Sequence, residues 1–105
     1  MVQLPAHIKK TIETYLQALN QNNIPVKKAF LFGSYARGQQ QQWSDIDIAL
    51  VSDVFEGDRL DDKDKIRGIT LSVSRELEVV PFSPEDFTRD NPFVGEILRT
   101  GIPLV

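Results

Sequence analysis

Gly33-Ser34, a ten-residue spacer and then Asp45-Ile46-Asp47 form the one stretch of the chain whose residue types and spacing suggest chemistry. Side chains alternate in a strand, so two acids separated by one residue point their carboxylates to the same face. Like charges held so close repel, and a bridging cation offsets that repulsion. The Gly-Ser pair directly follows the apolar run Ala29-Phe30-Leu31-Phe32, where a strand ends and a turn begins. A small turn with free backbone N–H groups suits a phosphate. A bare Asp-x-Asp also fits the solvent face of an edge strand. The Gly-Ser turn at this spacing is what favours a metal–nucleotide site.

Other residues extend the pattern. Ser34 offers a hydroxyl and a backbone N–H to phosphate oxygens, and Arg37 is either a bidentate phosphate donor or an ordinary surface arginine. Two metals clamped together, or a hydroxyl that must lose its proton, require a third carboxylate. Glu78, flanked by Leu77 and Val79, is favoured over Glu76, which shares its face by the same alternation. His7 is expected on the surface. Trp43, beside Ser44-Asp45, is expected to pack the loop carrying the acids rather than to stack on a base.

These side chains need elements to position them. Pro5 opens a helix in which Ile8, Ile12, Tyr15, Leu16 and Leu19 recur as one stripe. Asn20 to Pro25 reads as a stop, Lys28 to Phe32 as a buried strand, and Ser34 or Tyr35 to Gly38 as a short helix. Asp45 to Val51 is the second strand, with Ile46, Ile48 and Leu50 opposite Asp45, Asp47 and Ala49. The acidic segment Asp53 to Asp64 begins as loop, and Ile66, Ile69 and Val73 mark a helix despite Gly68. Leu77 to Val80 is a third strand stopped by Pro81. Ser83-Pro84 and Asn91-Pro92 each signal a helix start, and Gly101 ends the second of these before the tail Ile102 to Val105.

The 105 residues suit a single domain, 1–105, with 41% hydrophobic and 26% charged residues. No apolar run reaches the roughly 20 residues of a membrane span. Met1 to Pro5 lacks the basic-then-apolar pattern of a leader, and a cytoplasmic location is expected. There are no cysteines, hence neither disulfides nor thiolate metal sites. A net charge of −3 argues against direct nucleic-acid binding but not against a nucleotide that brings its own Mg²⁺. The glutamine run Gln39 to Gln42 reads as a solvated loop or helix end.

Gly33-Ser34-Tyr35-Ala36-Arg37-Gly38, followed by Ser44-Asp45-Ile46-Asp47-Ile48, resembles the minimal nucleotidyltransferases (MNT) of the DNA polymerase β superfamily. The order of elements is similar over nearly the whole chain. The resemblance implies an α+β fold, a small mixed β-sheet with helices packed on it. It also implies transfer of a nucleoside monophosphate, AMP from ATP, to a hydroxyl acceptor. Asp45, Asp47 and Glu78 would be catalytic and would hold two Mg²⁺ ions. Gly33, Ser34, Arg37 and Ser44 would contact the nucleotide. The family's third acid is usually an aspartate, whereas here the strand reads Leu77-Glu78-Val79-Val80. Small stand-alone members resemble antitoxins that transfer AMP to a tyrosine of a HEPN toxin, which implies a HEPN-domain partner. The alternative is a catalytically weak binding module that neutralises its partner by complex formation. A small-molecule acceptor such as an aminoglycoside ranks lower, because those enzymes usually carry a further substrate domain.

Overall fold

The computed structural model describes residues 4–41 and 43–105. Along the chain run α1 (Ala6–Gln21), β1 (Lys28–Phe32), α2 (Gly33–Ala36), β2 (Ile46–Val51), α3 (Arg59–Val73), β3 (Leu77–Phe82), α4 (Pro92–Thr100) and β4 (Ile102–Pro103). The strands form one mixed sheet in the order β3-β2-β1-β4. β1 is antiparallel to both β2 and β4, and β2 runs parallel to β3. The fold is α+β, as expected.

Alternation in β2 divides the core between the two faces of the sheet. Ile46, Ile48 and Leu50 join Leu77 and Val79 beneath Ile8, Ile12, Tyr15 and Leu19 of α1 and Ile66 of α3. Ala49 and Val51 on the opposite face join Phe82, Phe87 and the α4 residues Val94 and Ile97. Leu16, on the edge of the α1 stripe, is only partly buried. The two outer helices are tied together by a hydrogen bond of 2.7 Å between the Tyr15 and Thr70 hydroxyls.

Several boundaries differ from expectation. Pro5 is the N-cap of α1, one residue before the helix. The acidic segment after β2 turns helical at Arg59, because the Asp58 side chain accepts from the backbone N–H groups of Leu60 and Asp61. The segment begins as loop, as expected, and the acids in the first helical turn face the positive end of the helix dipole and favour the helix. Pro81 lies within β3. Ile46 N–H donates to Glu76 O, and Ser52 N–H donates to Phe82 O. The even-numbered residues of β3 therefore face β2, and Pro81 turns its missing donor to the unpaired outer side, where proline is tolerated.

Ser83 to Asp86 closes a turn, Asp86 N–H donating to Ser83 O, and no helix begins there. Only Phe87 among Asp86 to Asp90 is apolar, so a helix would have no stripe to bury. Asn91 caps α4 by accepting from Phe93 N–H, with Pro92 at the first position. The tail becomes β4. A Cβ on Gly101 would stand 3.2 Å from Leu31 O and closer still to Ile97 O, so only glycine lets the chain leave α4 this near β1. Among the described residues, no helix is long and apolar enough to cross a membrane.

Candidate active site

Phe32, the last residue of β1, pairs with Asp47 of β2, and Asp47 pairs with Glu78 of β3. Paired residues on neighbouring strands point to the same face, so Phe32, Asp47 and Glu78 form a row across the sheet. The chain then turns at Gly33, whose φ of +75° is left-handed. The Asp47 carboxylate occupies the space beside this glycine. A Cβ there would collide with Asp47 Oδ2 and stand 3.0 Å from its Cγ. Gly33 is thus required twice, by its backbone conformation and by the close approach of an acid. Ser34 follows in the single turn of α2, and Arg37 caps its C-terminus.

Asp45 sits exposed just before β2, while Asp47 is half-buried. Burial pushes the Asp47 carboxyl above its ordinary pKa, the negative charges of Asp45 and Glu78 add to the rise, and Arg37 opposes it. Three acids therefore feel one another at Asp47. The donors are hard carboxylate oxygens, and Mg²⁺ typically takes one or two carboxylates together with substrate phosphates. The Asp45–Asp47 pair fits that ion.

Among the described residues, no group of three acids or histidines is drawn together around a metal position; Asp45 precedes β2, while Asp47 and Glu78 lie in register across β2 and β3. Glu78, not Glu76, stands opposite Asp47, since Glu76 lies in the turn before β3. Its Oε1 accepts from Lys63 Nζ of α3 at 3.1 Å. Sequence reasoning missed Lys63, which reaches the strand only because α3 packs against β3. Ser44 fastens the loop ahead of the acids, its Oγ accepting from Gln41 N–H at 2.8 Å. Trp43 is not packed against that loop but is 79% exposed. Gln41 and Ser44, on either side of it, bond to each other. Gln42, the end of the glutamine run, lies outside the described residues. His7 is exposed, as expected.

The nucleotidyltransferase domain family matches residues 10–101, a span that includes every residue placed at this site. The chain belongs to the nucleotidyltransferase domain family. A relative named as a protein adenylyltransferase of Methanocaldococcus jannaschii is 47% identical over 47 residues, which cover 44% of this chain and 47% of that relative. The match thus spans about half of the relative's length. A crystal structure of a toxin–antitoxin complex with AMP-PNP contains a chain 22% identical to this one. It superposes with a TM-score of 0.62 over 89% of this chain and 71% of its own. A mutant of the MntA-HpeT toxin–antitoxin gives a TM-score of 0.61 at 18% identity, over 89% of this chain and 71% of its own. At such identities these structures show a shared fold.

Proposed function

We propose that residues 1–105 form a single nucleotidyltransferase domain that moves AMP from ATP to a hydroxyl acceptor. The observation that carries this reading is the Asp47 carboxylate lodged against Gly33, which joins the acid pair to the Gly-Ser turn in one place. Asp45 and Asp47 would hold Mg²⁺, which when bound supplies positive charge against the triphosphate. The Gly33-Ser34 backbone, the Ser34 hydroxyl and Arg37 would hold the β- and γ-phosphates, with Ser44 keeping the approach to Asp45 in place. The acceptor oxygen forms its bond to the α-phosphorus, the bond to the bridging oxygen breaks, and pyrophosphate leaves. Glu78, in register with Asp47, would complete the second metal position and take the acceptor's proton on its carboxylate. The rate advantage would come from positioning and charge neutralisation.

The acceptor we favour is a tyrosine of a HEPN-domain toxin, with this protein as its cytoplasmic antitoxin. The toxin–antitoxin structures that share the fold, one of them with AMP-PNP, and the adenylyltransferase relative support this reading. Incubation with ATP, Mg²⁺ and a HEPN partner is expected to add one AMP to a partner tyrosine, read by mass spectrometry of the intact partner and its peptides. An unmodified partner that is nevertheless neutralised would contradict the enzymatic reading.

A second reading follows from the Lys63–Glu78 pair, which ties up the third acid. In that case the protein neutralises its partner by complex formation alone. Neutralisation that persists undiminished in Asp45→Asn distinguishes it.

A further inference from the structure

The sheet face that carries Asp47 is only half covered. Val94, Ile97 and Phe87 bury Ala49, Val51 and Phe82 at one end. At the other end Asp47, Glu78, Phe32 and Val80 remain wholly or partly open. Phe93 stands at the boundary. Its ring meets Phe32 edge-on at 5.4 Å between centroids and leans on Phe82 at 6.1 Å. The Asn91 cap and Pro92 fix the first turn of α4 on which it rides. Although held by two aromatic rings, Phe93 keeps 38% of its surface exposed, beside the cross-strand partner of Asp47.

We infer that Phe93, backed by Phe32, is the wall on which the nucleobase of the substrate stacks. The inference rests on the nucleotidyltransferase reading above. With the β- and γ-phosphates on the Gly33-Ser34 backbone, the nucleoside lies over the open half of the face, which Phe93 of α4 borders through its contact with Phe32. A base needs an apolar surface that tolerates its π-face, and a pinned aromatic ring supplies one with little further loss of side-chain freedom. The segment Gln39 to Ser44, which leads to Asp45 in the sequence, is polar apart from Trp43. Phe32, Phe93 and Val80 present no hydrogen-bonding side chain, so this wall binds a base without reading which base it is.

Calorimetric titration with Mg²⁺-ATP and with Mg²⁺-tripolyphosphate, which has the phosphates but no base, separates binding of the base from binding of the phosphates. In Phe93→Ala and in Phe93→Leu, which keeps the apolar volume but not the ring face, ATP affinity is expected to fall about tenfold, the loss of one stacked base. Tripolyphosphate affinity should stay within about twofold in both variants, and Phe93→Trp should retain ATP binding. The inference is overturned if Phe93→Leu binds ATP like the parent, if both ligands weaken equally, or if Trp43→Ala weakens ATP while the Phe93 variants do not. A parent protein that binds neither ligand would instead overturn the nucleotidyltransferase reading on which the inference stands.

Discussion

The Asp47 carboxylate fills the volume that a side chain on Gly33 would need, and Gly33 itself sits at a φ of +75°. Position 33 therefore reports on the acid as well as on the turn. In Gly33→Ala the left-handed conformation alone costs about 1–2 kcal/mol, and the added methyl group displaces Asp47. Nucleotidyl transfer by the folded fraction is expected to drop by roughly 10²-fold, the typical effect of an ångström of misplacement. Thermal unfolding and transfer rates measured on the same sample check that the activity loss exceeds the loss of folded protein.

Lys63 and Glu78 offer a contrast between stability and function. Both side chains are substantially exposed, so Lys63→Ala should change stability by less than about 1 kcal/mol in denaturant titrations. Transfer should survive that change, because Glu78 is then free. Glu78→Gln keeps the size but cannot take a proton, and transfer should fall by roughly 10²–10⁴-fold. Equal rates in Glu78→Gln and the parent would remove Glu78 from the mechanism.

Asp62 governs acid stability away from the site. It is 1% exposed, and its two oxygens accept from the backbone N–H groups of Glu56 and Gly57, each at 2.9 Å. Burial pushes its pKa up, but those bonds and Lys65 outweigh burial and hold it below the ordinary carboxylate value. A depressed folded pKa contributes stability above the unfolded value, and that contribution is lost as the pH falls through the folded pKa. Asp62→Ala should cost about 3 kcal/mol at neutral pH, by stranding buried donors. The gap from the parent should narrow below about pH 4, as urea midpoints across pH would show.

Tyr15 acts at the alkaline end. Burial raises its pKa to about 12, partly opposed by the bond to Thr70. A raised folded pKa means stability that is complete below the unfolded value of about 10 and is lost as the pH rises towards the folded one. Ultraviolet titration should show a tyrosine that ionises near pH 12, and Tyr15→Phe should abolish that step. The hydroxyl's removal should cost about 1 kcal/mol, since Thr70 keeps its bond to Ile66 O.

What was legible in the sequence is what local periodicity controls. The Asp-Ile-Asp alternation placed Asp47 on one face and Ile46 and Ile48 in the core, and the apolar run placed β1 and the turn after it. Proline at position 81 misled because its effect depends on which side of the strand carries the partner, a property of the sheet rather than of the segment. Ser83-Pro84 carried a helix signature with no apolar stripe behind it. β4, at two residues, is too short for any period and exists only because Gly101 brings it to β1. Trp43 and Lys63 were misjudged or missed because a side chain's exposure, or its partner 15 residues away, is settled by tertiary packing.

The central claim is that Asp45 and Asp47 together hold the metal that carries the nucleotide. It is tested most directly by the initial rate of transfer from α-labelled ATP to the partner, with Mg²⁺, for the parent, Asp45→Asn and Asp47→Asn. The expected result is a labelled partner with the parent and a loss of about 10³-fold or more in each variant, as for removal of a group holding charge at the transition state. Parent-like transfer in either variant, or no transfer by the parent from any nucleoside triphosphate, would contradict it.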